Sequence, residues 1–159
     1  MRKKLAVLAA VLCLASLALP ITAHAVAVGE TTASPEPALV WHTDYAAALK
    51  QAKAENRRVF LFFTGSDWCP FCKQMTEEIL SKPEFAKYSK EKLILVEIDF
   101  PRKHKLPAKI RAQNDKLADK YNLQIYPTMI VLASDGAKVG ELRYQEGGPG
   151  PFIARLEKL

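Results

Sequence analysis

The chain has 159 residues, with 23 basic and 17 acidic side chains and a formal net charge of +6. That length is enough for one domain built around a single core. Three of the basic residues lie in the first four positions, so the rest carries 20 basic against 17 acidic residues, a net of +3. Such a balance gives little reason to invoke nucleic acid or an anionic membrane as a partner.

Arg2, Lys3 and Lys4 precede an uncharged apolar run from Leu5 to Leu19. Pro20 breaks the run, and Ala23-His24-Ala25 has the small-x-small pattern of a cleavage site. The run is shorter than the ~20 residues of a membrane-spanning helix. Residues 1–25 therefore read as a removed secretory signal, with no stable membrane insertion afterwards. A retained N-terminal anchor is the competing reading, and bulky Leu12 argues against a lipid anchor at Cys13. Removing the signal removes Cys13, which leaves Cys69 and Cys72 of the three cysteines. In an oxidising compartment such a pair can form a stable or a cycling disulfide.

Residues 26–38, VAVGETTASPEPA, are short, polar and proline-containing, as a flexible leader would be. The domain then spans 39–159. Thr43 is positioned to cap a helix with Asp44 in its first turn, and Tyr45, Ala48, Leu49 and Ala52 recur at helical spacing to about Asn56. Val59–Phe63 is a continuous apolar run that reads as a central strand buried on both faces. Thr64–Asp67 is a turn, and a helix follows from Pro70 to about Leu80. Leu93–Ile98 is a second buried strand. Pro107 can open a helix whose Ile110, Leu117, Ala118 and Tyr121 share a face, with Asn122 ending it. Thr128–Leu132 is a third strand, and Ser134-Asp135-Gly136 turns it into an antiparallel Val139–Tyr144. Gly147-Gly148-Pro149 leads into a last helix, Pro151–Leu159. The order predicts an α/β fold, a mixed sheet with helices on both faces.

The segment Ser66-Asp67-Trp68-Cys69-Pro70-Phe71-Cys72 carries both remaining cysteines. Pro70 suits the first helical position, where its missing N–H would have had no partner. The unpaired N–H groups there stabilise a thiolate at Cys69. Cys72 lies just under one turn on, within disulfide reach. Cys72, Met75 and Ile79 follow i, i+3, i+7 spacing, so Cys72 is expected to face the core and Cys69 to stand at an exposed mouth. That assigns Cys69 as the attacking thiolate and Cys72 as the resolving thiol. A zinc site would need four ligands, and His42 and His104 lie far apart in sequence. A purely structural staple gains little, because so short a loop has little entropy to lose.

Trp68-Cys69-Pro70-Phe71-Cys72 after a strand, with Tyr126-Pro127-Thr128 before another, resembles the thioredoxin superfamily over roughly 39–159. Phe63–Cys69 and Val96–Pro101 look more narrowly like exported bacterial thioredoxin-like proteins. The resemblance implies a thioredoxin-like fold and thiol–disulfide exchange with protein substrates, with no bound cofactor. It implies a cis Pro127 packed on the disulfide, Trp68 at the rim of Cys69, and substrate contact through Trp68, Pro70, Phe71, Tyr126 and Pro127. A membrane electron carrier would reset the pair in the periplasm. One departure stands out. Thioredoxins usually bury an aspartate in the strand before the active site, with a lysine nearby, whereas Val59–Phe63 is wholly apolar. Asp67, Glu97 and Asp99 are the candidate substitutes. The absence of a large substrate-binding insert inclines the reading toward a reductase. A noncatalytic module docking partners along the Pro127 edge, its disulfide permanently closed, is the alternative. The basic stretch Pro101–Lys105, with Lys109 and Arg111, reads as a solvated loop.

Overall fold

The computed structural model describes residues 39–159, so the expected signal and leader lie outside the described residues. Five strands form one sheet: β1 (Trp41–His42), β2 (Arg58–Thr64), β3 (Leu93–Asp99), β4 (Thr128–Leu132) and β5 (Lys138–Arg143). Their spatial order is β1-β3-β2-β4-β5. β1 and β2 run parallel to β3, β4 runs antiparallel to β2, and β5 antiparallel to β4. The mixed sheet is as the sequence predicts.

The apolar run 59–63 is continuous because β2 is central and covered on both sides. Its pleat alternates the two cores. Phe60 and Phe62 join a cluster with Cys69, Cys72, Met75, Ile79, Phe85, Met129 and Phe152. Val59, Leu61 and Phe63 join the opposite cluster with Ala48, Ala52, Val96, Leu117 and Ile130. Each such side chain, fully buried, contributes about 1.5–3 kcal/mol of transfer free energy.

Helices α1 (Tyr45–Glu55) and α4 (Ala108–Lys120) cover the second cluster, while α2 (Pro70–Met75), α3 (Pro83–Lys92) and α5 (Pro149–Glu157) cover the first. Several boundaries differ from the sequence expectation. Asp44, not Thr43, caps α1, accepting from Ala47 N at 3.0 Å. Pro107 stands before α4 as its cap residue, and Asn122 adopts φ 49° just past that helix. The helix expected over 70–80 is α-helical to Met75 and then a π-helical turn over Thr76–Leu80.

Two elements have no counterpart in the sequence reading. β1 is two residues long, below what alternation can reveal. α3 buries only Phe85 and Ser89, so its apolar stripe is too thin to register as a helical period, although Pro83 marks its first turn.

Candidate active site

β2 delivers the chain to Gly65, just past its C-terminal end, and the backbone N–H groups of Trp68 and Cys69 turn back onto Gly65 O at 3.2 and 2.9 Å. The turn needs glycine for space: a Cβ at Gly65 would sit inside the Trp68 indole. Cys69 then takes an extended conformation, φ −88° and ψ 109°, and becomes the N-cap of α2 with Pro70 at the first helical position. Its Sγ accepts from Cys72 N at 3.2 Å. The two cysteines are joined by a disulfide, with Cα atoms 5.3 Å apart.

Cys72 faces the core, 1% exposed. Cys69 does not stand open as the sequence suggests; it is 3% exposed. Trp68 and Tyr126 pack against the core cluster that contains both cysteines, their rings 5.4 Å apart and edge to face. The Tyr126–Pro127 bond is cis, and Pro127 is buried. Thr128 Oγ1 donates to Ile125 O at 2.8 Å, which fixes the turn that presents the proline. Pro70 is exposed, and Phe71, between the cysteines, is 61% exposed. Ile125, which no sequence signal singled out, is 46% exposed. Both are large apolar side chains left in water, one between the cysteines and one beside the Tyr126–Pro127 turn.

The connection following β3 closes over Trp68. Trp68 Nε1 donates to Phe100 O at 2.7 Å, Phe100 stacks edgewise on Tyr126 at 5.6 Å, and the Arg102 guanidinium lies 3.8 Å over the indole. Asp67 accepts from the backbone N–H groups of Arg102 (3.1 Å) and Lys103 (2.6 Å). Asp99 accepts from Ser66 N (2.9 Å) and Ser66 Oγ (2.7 Å), and buried Asn114 donates to Asp99 O at 2.9 Å. Burial works to raise the Asp67 pKa, yet the Lys103 and Arg102 amides and nearby His104 hold it below its ordinary value.

The three candidate acids are therefore separated by role. Asp67 and Asp99 are tied into the loops that frame the cysteines. Glu97 pairs in register with Phe62, and strand alternation puts both on the cysteine face of the sheet. Burial first, and the Asp99 charge second, push the Glu97 carboxyl above its ordinary value. Among the described residues no group of three or more His, Cys, Asp and Glu side chains converges to hold a metal.

A profile of the thioredoxin-like domain matches residues 45–149. The disulfide bond reductase DsbH of Chlamydia pneumoniae is 32% identical over 119 residues, 75% of this chain and 71% of that protein. The thioredoxin-related protein DsbJ of the same organism is 33% identical over 101 residues, 64% of this chain but 29% of its own length. A solved DsbH oxidoreductase superposes with a TM-score of 0.72 at 32% identity, covering 76% of this chain and 83% of that one. The reduced C-terminal domain of Neisseria meningitidis DsbD gives 0.55 at 26% identity, covering 75% and 98%. With these likenesses falling on a sheet, a CxxC turn and a cis-proline arranged as described, the chain belongs to the thioredoxin-like domain family and is a thiol–disulfide oxidoreductase.

Proposed function

We propose that the protein is a periplasmic disulfide reductase of protein substrates, freed by removal of residues 1–25 and followed by a leader over 26–38. Cys69 is the attacking thiolate and Cys72 the resolving thiol. The observation that carries this assignment is the Cys72 N–H aimed at Cys69 Sγ, 3.2 Å away, at the head of the helical run. A donor so placed favours negative charge on that sulfur when the disulfide is open. Cys72 sits one turn on and is buried, with its sulfur in reach of Cys69.

In the reducing direction the Cys69 thiolate attacks one sulfur of the substrate disulfide. That S–S bond breaks, the other substrate sulfur leaves as a thiolate, and a mixed disulfide forms at Cys69. Cys72, deprotonated, then attacks Cys69 Sγ and releases the second substrate thiol. The substrate gains two electrons and the protein keeps the disulfide. Exposed Phe71 and Ile125, with Pro70, Trp68, Tyr126 and Pro127 around them, supply an apolar seat for the substrate segment. A membrane electron carrier returns the pair to thiols. Kinship with a protein named a disulfide bond reductase supports the direction.

The test is a redox titration of the Cys69–Cys72 pair combined with trapping. A potential near about −270 mV supports a reductase, and one near about −120 mV reverses the direction. Cys72→Ala is expected to accumulate mixed disulfides through Cys69, and Cys69→Ser to abolish exchange. A Cys69→Ser protein that still exchanges disulfides overturns the assignment of the nucleophile.

A further inference from the structure

We propose that the connection between β3 and α4, residues 100–107 with Arg111, is a specificity arm that selects substrate disulfides flanked by acidic residues. The inference rests on the exchange reading above and names the substrate class of that same site.

The arm is built onto the active site rather than left in solvent. Asp67, two residues before Cys69, spends its carboxylate on the backbone N–H groups of Arg102 and Lys103. The Asp67 carboxylate thus holds the arm's backbone; the His104 ring lies 3.5 Å from it and 3.9 Å from Asp99. Arg102, Lys103, Lys105 and Arg111 are all exposed, and none pairs with a carboxylate among the described residues. Lys109 differs, being bridged to Asp44 at 3.1 Å.

Arg102 is the key placement. Its guanidinium carbon lies over the Trp68 ring, 3.8 Å from the centroid. A guanidinium held by its face keeps its in-plane N–H groups available at the edge, where they match a carboxylate. Behind it opens a cleft of about 440 Å³ lined by Phe100, Arg102, His104, Lys105, Leu106 and Arg111 among others. Asp99 and Asp115 also line the cleft. Asp99 is bonded to Ser66 through both oxygens, and with Asp115 it sets two negative charges against the three cations Arg102, Lys105 and Arg111, so the cleft keeps a net positive charge.

A substrate segment whose sulfur reaches Cys69 must cross Trp68, and so it meets Arg102 on one side and the apolar Phe71 and Ile125 seat around the turn. This continuity picks out a protein segment carrying Asp or Glu near its cysteine. Nucleic acid has no sulfur to bring there.

The experiment compares two disulfide-bonded peptides that differ only in flanking residues, glutamates in one and lysines in the other, reduced by the pre-reduced protein. The acidic peptide is expected to react about tenfold faster at low ionic strength, the scale of electrostatic steering. The ratio should fall toward one in about 0.5 M salt, where the screening length is only a few ångströms. The double substitution Lys105→Glu/Arg111→Glu should invert the ratio; a ratio cancels any general loss of activity. Equal rates at low salt, or a preference that survives the charge reversal, would overturn the arm. A cysteine-free acidic peptide gives a second readout through Trp68 fluorescence. If it binds in a salt-dependent way while neither disulfide is reduced, the arm stands and the exchange reading falls. If both disulfides are reduced equally and the peptide does not bind, the exchange reading stands and the arm falls.

Discussion

Substituting Gly65 by alanine places a methyl group where the Trp68 indole now lies, against Cε2, Nε1 and Cζ2. Gly65 is not among the glycines with positive φ, so the conflict is one of space and not of backbone conformation. Trp68 is partly exposed and can swing outward, but doing so loses three contacts. The Nε1 bond to Phe100 O (2.7 Å) is worth about 1 kcal/mol, the edge-to-face pair with Tyr126 (5.4 Å) about 0.5–1.5, and the Arg102 stack (3.8 Å) about 0.5–1. If the backbone yields instead, overpacking costs about 1–3 kcal/mol. Either route predicts a loss of about 2 kcal/mol, a fall in Tm of roughly 8 °C for a domain of this size. Urea unfolding of the disulfide form measures the loss. In a Trp41→Phe background, which leaves Trp68 as the only indole, emission should also shift to longer wavelength as the ring enters water. Stability within about 0.5 kcal/mol of the parent with unshifted emission would refute the packing of Trp68 over Gly65.

Three further outcomes are expected. Phe85→Ala, which removes one ring of the three-ring contact with Phe60 and Phe152 (centroids 5.8 and 6.1 Å away), should cost about 3–5 kcal/mol by urea denaturation, and a loss under about 1 would mean that α3 does not seal the core. Asn114→Ala removes the buried donor to Asp99 O and should cost about 1–3 kcal/mol, with faster hydrogen exchange at the Ser66 amide as the Asp99 carboxylate loosens. The folded state raises the Glu97 pKa, so its ionisation is a penalty absent below the ordinary value of 4.5 and fully present once pH exceeds the folded value. Glu97→Gln should therefore stabilise the protein at pH 7–8 and make no difference near pH 3.5; a gain of the same size at both would place its cause elsewhere.

The frame of this fold was readable because its signals are local. Val59–Phe63, Leu93–Ile98 and Thr128–Leu132 are apolar runs too short for helices, and each proved a strand covered on both faces. The CxxC pair at the start of a helix was equally plain, since proline at the first helical position and the spacing from Cys72 to Met75 and Ile79 depend on neighbours in the chain. The surroundings of the pair depend on distant residues. Cys69 is buried in a cluster against which Trp68 and Tyr126 also pack, two rings that meet across 58 positions of sequence. The 101–105 stretch looks like any solvated basic loop until Asp67, 35 residues earlier, is seen to take its backbone N–H groups. Glu97 is one polar residue in an apolar strand, and only the register opposite Phe62 decides which face it occupies. The same division explains why chemistry was easier to read than selectivity. Two sulfurs one turn apart determine what reaction is possible, whereas the proposed substrate contacts come from three separate connections, at 65–71, 100–105 and 125–127. These meet only because parallel β2 and β3 end on the same side of the sheet and antiparallel β4 begins there. Selectivity in this fold is thus a property of strand ends brought together, and an arm such as Arg102 on Trp68 can change without disturbing the strands or the cysteine pair.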